Sequence, residues 1–148
     1  MSEEQGMDIL AEEIGHYYMT SKSSPDDWLD KIEKLIQEHG GAVLRRAFGK
    51  DENRAAYMLG FELDGQHYKV VWPVLSTKKS EQAARIQAAT LMYHDIKAKI
   101  LTAKVLGNRV AFFQYLMLRD GRTTAQVADE ELTFVLPDIN MPLLTGGK

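Results

Sequence analysis

Apolar positions along the chain follow two periods, and the change of period marks the elements. At Met7, Leu10, Ile14, Tyr17 and Tyr18 they recur mostly every three or four residues, which predicts a short amphipathic helix over residues 7–19. A polar linker, residues 21–24, leads into Ser24-Pro25-Asp26-Asp27. A serine before a proline, with acids behind it, predicts a helix start. The hydroxyl accepts an unsatisfied N–H, proline has none to satisfy, and carboxylates meet the positive end of the helix dipole. Trp28, Leu29, Ile32, Leu35 and Ile36 then form one apolar stripe, which Gly40 ends.

The period next drops to two. Residues 42–48, 54–63 and 66–72 read as strands, with a turn at 49–53 between the first pair. Asp64-Gly65 suits a two-residue hairpin turn in which both positions take positive φ. That turn sets the register. Leu63 faces Gln66, Phe61 faces Tyr68, Leu59 faces Val70 and Tyr57 faces Trp72 on an apolar face. Glu62 with His67, Gly60 with Lys69 and Met58 with Val71 make a mixed face. Helices are expected to cover one face only, and Pro73, lacking an N–H, is expected to end the third strand.

Beyond it, Ser76 or Thr77 is expected to cap a long helix that runs to about Leu106 and stops at Gly107. Ile86, Ala89, Tyr93, Ile96, Ile100 and Ala103 form its expected seam toward the sheet, while Arg85, Met92 and Lys99 share a third face. At about 1.5 Å per residue such a helix spans roughly 45 Å, more than a small sheet covers, so one end is expected to project toward a partner. Residues 110–118 read as a short helix capped by Asn108, with a strand as the alternative. Residues 124–131 read as one or two further turns. The end of the chain reads as an extended tail whose Met141, Leu143 and Leu144 dock on the core.

The resulting expectation is an α+β fold: an α-β-β-β-α core around a three-stranded antiparallel meander covered on one face by helices, with a long second helix, a short C-terminal helix and an extended tail. Its divisions are an N-terminal helix and linker at 1–23, a single domain at 24–131 and the tail at 132–148. A chain of 148 residues is long enough to bury a core unaided. With no cysteine, thiolate metal sites, disulfides and a cysteine nucleophile are excluded. The acidic start MSEEQGMDIL has no secretory pattern, and no apolar run approaches the roughly 20 residues of a membrane span. These features predict a soluble, cytoplasmic protein without a membrane partner.

Charge is unevenly distributed. The net charge is −3, but residues 1–39 carry ten acids and three bases, whereas residues 69–109 carry eight bases against Glu81 and Asp95. A basic middle inside an acidic protein is either a surface for an anionic partner or the solvated face of a long helix. His16, His39, His67 and His94 are scattered without paired spacing, and Asp26, Asp27 and Asp30 are accounted for by the helix start, so no metal and no cofactor are expected. No phosphate loop, nucleophile elbow or HExxH pattern is present, so an enzyme is not expected. The most suggestive stretch is Ser76-Thr77-Lys78-Lys79-Ser80-Glu81-Gln82-Ala83-Ala84. There the free amides of a helix start, with two lysines beside them, suit a phosphate.

A helix, three antiparallel strands and a helix opened by serine or threonine and lysines resemble the double-stranded-RNA-binding domain over residues 25–92. That resemblance implies phosphate contacts by Lys78 and Lys79. Ala83-Ala84 comes earlier than that family's alanine pair, and Gly49-Lys50-Asp51-Glu52-Asn53 stands where the family has a Gly-Pro-His type loop. The same β-β-β-α order resembles the core of phage single-strand annealing proteins. A further set of pieces is similar, in order along residues 25–146, to small uncharacterised proteins of phages and mobile elements. They are Gly41-Ala42, residues 61–65, residues 70–73, Ile96-Lys97-Ala98-Lys99, Asp120-Gly121-Arg122-Thr123 and Pro142-Leu143-Leu144. Together these imply a nucleic-acid-binding accessory protein, with Lys78, Lys79, Arg85, Lys69, Arg45 and Arg46 as its candidate contacts. The alternative is a protein–protein adaptor or oligomerising scaffold, a homo-oligomer or a complex formed through the long helix.

Overall fold

A computed structural model describes residues 9–51 and 54–129. The expected tail and its docking residues, and Met7, lie outside the described residues. Three short helices accompany a core of two longer helices and one sheet: α1 (Ala11–Ile14), α2 (Pro25–Glu38), β1 (Ala42–Asp51), β2 (Arg54–Leu63), β3 (Gln66–Val74), α3 (Glu81–Leu106), α4 (Asn108–Ala111) and α5 (Thr124–Ala128). The sheet is a meander in the order β1-β2-β3, antiparallel throughout.

The hairpin forms in the expected register, with Phe61 opposite Tyr68, Leu59 opposite Val70 and Tyr57 opposite Trp72. Asp64 (φ 54°) and Gly65 (φ 78°) both take the left-handed region that the turn demands. Phe61, Leu59, Val70 and Tyr68 are buried with Ile32 and Ile36 of α2 and with Met92 and Ile96 of α3. Ser24 caps α2 reciprocally: its Oγ accepts the Asp27 N–H at 3.1 Å, and Asp27 Oδ2 accepts the Ser24 N–H at 3.2 Å.

Several boundaries depart from expectation, each for a local reason. Pro73 lies inside β3, paired with Ala56. From the two-residue turn, that pair is one of the non-hydrogen-bonded ones, so the missing N–H points to the open edge of the sheet and costs no ladder bond. β1 continues through Gly49 and Lys50, where a turn was expected, because β2 offers partners as far as Arg54. The N-terminal helix is a single turn. Gly15 (φ 77°) ends it, and Leu10 pairs in parallel with Ser76, the Ala11 N–H donating to the Ser76 carbonyl at 2.8 Å.

That pairing moves the start of α3. Ser76 is held by the N-terminal segment and the Thr77 hydroxyl by Tyr18 Oη at 2.5 Å, so Ser80 becomes the cap, its Oγ accepting the Ala83 N–H at 3.1 Å. The inward seam of α3 is also rotated from the expected one. Met92 is fully buried, Arg85 and Lys99 lie half-buried on its line, and Ile86 and Tyr93 are only half-buried. Residues 108–118 combine both readings: α4 and a 3₁₀ turn (Phe113–Tyr115) come first, then Leu116 bridges Tyr68 and the Met117 N–H donates to the His67 carbonyl at 2.8 Å. Gly107, not Asn108, precedes α4. The Asn108 amide instead links His39 (2.6 Å) and Asp64 (2.8 Å). Among the described residues no long helix covers the second sheet face, which this segment partly covers, with Met117 against Met58.

Candidate nucleic-acid interface

The six candidate cations separate once the sheet is formed. Arg45 and Lys69 both pair with Gly60, in one row across the second face. Arg45 is exposed. Lys69 is buried, at 4% exposure, and its Nζ donates to the Gly121 carbonyl at 2.7 Å. An ammonium so enclosed ties the 118–122 turn to the sheet and is removed from the surface, so Lys69 leaves the set of phosphate contacts.

Arg46 points the other way, onto the helix-covered face, because a bulge between Val43 and Arg45 shifts the register of β1. There it reaches Asp30 (2.8 Å) and Glu33 (3.2 Å) on α2. Phe48, two residues on, shares this face, opposite Tyr57. Arg85, in the second turn of α3, lays its guanidinium 4.2 Å from the centre of the Phe48 ring and donates from Nε to Tyr57 Oη at 3.0 Å. Burial raises the Tyr57 hydroxyl above its ordinary value, and the neighbouring Arg85 partly offsets this. The remaining guanidinium nitrogens of Arg85 have no hydrogen-bond partner among the described residues. Arg46, Phe48, Tyr57 and Arg85, closed by Asp26 and Leu29, line a groove of about 240 Å³, and Phe48 is 40% exposed in it.

Lys78 and Lys79 are exposed, in the loop before α3 rather than in its first turn. The groove and this loop sit at the same end of the molecule: Lys50, near the end of β1, approaches Glu81 at 4.0 Å. The loop already receives a carboxylate. Glu12 Oε2 accepts the Lys78 backbone N–H at 2.9 Å, while its Oε1 is enclosed without a hydrogen-bond partner among the described residues. That Lys78 amide, above all, holds the Glu12 carboxyl below its ordinary value, against the opposing effect of desolvation; Thr77 and Lys79 add smaller contributions. The carboxylate comes with its segment, since the Ser80 N–H donates to Tyr18 Oη at 3.2 Å and buried Gln87 donates to the Ala11 and His16 carbonyls at 3.0 and 3.1 Å.

Sequence reasoning therefore placed Arg46 and Arg85, which the fold brings together, beside Arg45 and Lys69, which it sends to the opposite face. It missed Phe48, Lys50 and Glu12. The signal for the first two was legible in Arg45-Arg46-Ala47-Phe48-Gly49-Lys50, where bases and an aromatic alternate along one strand. Glu12 gave none, because its partner is 66 residues away. Among the described residues no group of three metal-ligating side chains comes together, and no helix is long and apolar enough to cross a membrane. Compared with protein-family models, with curated proteins and with solved structures, the chain matches none of them.

Proposed function

We propose that this chain is a nucleic-acid-binding accessory protein of a phage or mobile element. Single-stranded nucleic acid would bind at the end of the sheet where β1, α2 and the start of α3 meet. The observation that carries this reading is the Arg85–Phe48 stack beside Arg46 in an open groove. An exposed aromatic ring accepts an unpaired base whatever its sequence, and the Arg85 guanidinium at its side serves the base face and a phosphate, while Arg46 is held beside it by Asp30 and Glu33. Lys50, Lys78 and Lys79 lie at the same end to track the backbone, and Arg45 lies on the far face, outside the path.

An acidic chain that binds through a few local cations binds in a strongly salt-dependent way, because each neutralised phosphate releases counterions. Fluorescence anisotropy of a labelled thymidine oligonucleotide, titrated at several salt concentrations, tests the reading. Duplex DNA and duplex RNA serve as comparisons. Phe48→Ala is expected to weaken single-strand binding by about 1–3 kcal/mol, the worth of one stacked base. Lys78→Glu with Lys79→Glu is expected to weaken binding on every sequence and to flatten the salt slope by about 0.7 per lost phosphate contact. Wild-type anisotropy at background in low salt would sink the proposal. Tighter binding to duplex RNA than to single strands, with Phe48→Ala silent, would replace stacking by the contact mode of the double-stranded-RNA-binding domain.

A further inference from the structure

At the other end of α3 the chemistry changes. Between Ile96 and Arg119 the chain has no aspartate or glutamate, while Lys97, Lys99, Lys104, Arg109 and Arg119 all fall there. In the same stretch Leu101, Val105, Leu106, Val110 and Phe113 are each more than half exposed, Val105 at 81%. Single exposed apolar residues are ordinary, but Leu101, Val105 and Leu106 fall within six residues at the end of α3.

Their placement on α3 is ordered. At about 100° per residue, Leu101 and Val105 lie about 140° and 180° round the axis from buried Ile96. With exposed Ala98 they make spacings of three and four on the side opposite the core seam. Higher up, this outer line is covered: the Tyr17 ring stacks on His94 at 5.0 Å. From Ala98 down it is open. Lys97 and Lys104, seven residues apart, are exposed along one flank of the seam, the position from which coiled-coil helices form their interhelical ion pairs. The acid on the other flank, Asp95, is engaged by Lys99 at 3.1 Å and by the Tyr115 hydroxyl at 2.7 Å.

A second copy fits this surface poorly. Paired in parallel, Lys97 would meet only Thr102 of its twin; paired antiparallel, Lys97 would meet Lys104. No carboxylate of the stretch could compensate. We infer that the C-terminal half of α3, with the α4 corner, is a docking surface for a short amphipathic helix of another protein. That helix would present apolar residues at heptad spacing and glutamates or aspartates along the edge facing Lys97 and Lys104. The surface is independent of the groove at the other end, so it stands whether or not the chain binds nucleic acid.

The test uses the full-length chain and a labelled synthetic helical peptide at nanomolar concentration, with leucine at the two seam positions and glutamate on both flanks. The controls are the same peptide with lysine on the flanks, phosphatidylserine vesicles, and sedimentation of the chain alone. Saturable binding of the glutamate peptide is expected, with none of the lysine peptide. Leu101→Asn with Val105→Asn should abolish it, and Lys97→Glu with Lys104→Glu should weaken it at least tenfold while creating binding of the lysine peptide. All four positions are exposed, so circular dichroism of the variants should match the wild type. Several results would overturn the inference. One is no binding of the glutamate peptide, or binding indifferent to the charge reversal. Another is capture by vesicles in place of peptide, or a dimer that Leu101→Asn dissolves. Peptide binding that appears only when Met141, Leu143 and Leu144 are replaced by serine would assign the surface to the chain's own C-terminal residues instead.

Discussion

Two side chains, Lys69 and Glu12, show how far a charge's role depends on what the fold lays against it. In the sequence Lys69 belongs with the basic residues of the middle segment. In the fold it is buried, and its ammonium donates to the Gly121 carbonyl of a turn. Lys69→Ala leaves the Gly121 carbonyl without that donor and opens space beneath it, and is expected to destabilise the chain by about 1–3 kcal/mol in chemical denaturation. Oligonucleotide affinity of the folded variant should not change. Arg45→Ala, on the same row but exposed, should leave stability within about 0.5 kcal/mol. Glu12 presents the opposite case, a half-buried acid that holds a loop. Its carboxyl titrates below the ordinary value of 4.5, so its contribution to stability is full above about pH 4.5 and is lost as pH falls through the lower, folded-state value. Glu12→Gln should therefore lower the melting temperature at pH 7, and the difference from wild type should close in acid. Since Glu12 occupies the Lys78 amide, the same substitution should strengthen oligonucleotide binding at neutral pH. Unchanged or weakened binding would show that the carboxylate and a phosphate do not compete for that loop.

At the scale of elements, what could be read from the sequence was whatever neighbouring residues decide. The Asp64-Gly65 turn fixes a register for every pair up to Tyr57 and Trp72, and α2 carries its own cap, its stripe and its stop. Errors arose where a distant segment competes. Thr77 has the right chemistry to cap α3, but Tyr18 takes its hydroxyl, and the cap passes to Ser80. Arg85, Met92 and Lys99 were expected on a third face, off the seam toward the sheet. The Arg85 and Lys99 stems nevertheless lie along the line of buried Met92, with heads that reach Tyr57 and Asp95. The groove was half legible for the same reason: its basic and aromatic residues stand together on β1, but Arg85 meets them only through tertiary packing. The exit of α2 offers a sharp test of element geometry. A Cβ on Gly41 would stand 2.4 Å from Leu63 Cδ2 and 2.6 Å from the Glu62 carbonyl oxygen. Gly41→Ala is thus expected to cost about 1–3 kcal/mol, because backbone of β2 would have to move. At Gly40, whose Cβ would meet nothing within 4 Å, only the positive φ opposes alanine, at about 1–2 kcal/mol. Equal midpoints for Gly41→Ala and wild type in denaturant would show that the α2–β1 corner relaxes freely.

Over the whole molecule, α3 joins two surfaces of different chemistry. The guanidinium–aromatic groove lies at its start, and the basic, apolar corner lies at its end. From Arg85 to Val105 is 20 residues of one helix, about 30 Å at 1.5 Å per residue. Charges that far apart are separated by several Debye lengths at physiological salt, where the length is about 8 Å, so direct electrostatic coupling between the surfaces is negligible. A mechanical route would need an element with two discrete arrangements, and α3 is held along its length by buried Ala84, Ala88, Met92, Ile96, Ile100 and Ala103. The two surfaces should therefore act independently. Titrating the glutamate-flanked peptide with and without saturating oligonucleotide should give dissociation constants within about twofold of each other, a coupling free energy under about 0.5 kcal/mol. The charge reversal at Lys97 and Lys104 should leave oligonucleotide affinity near wild type, and Phe48→Ala should leave peptide affinity unchanged. Strict competition would show that the acidic peptide had bound the groove's cations rather than the helix corner. Coupling of tenfold or more without competition would show that α3 or its N-terminal strap has a second arrangement that both ligands bias.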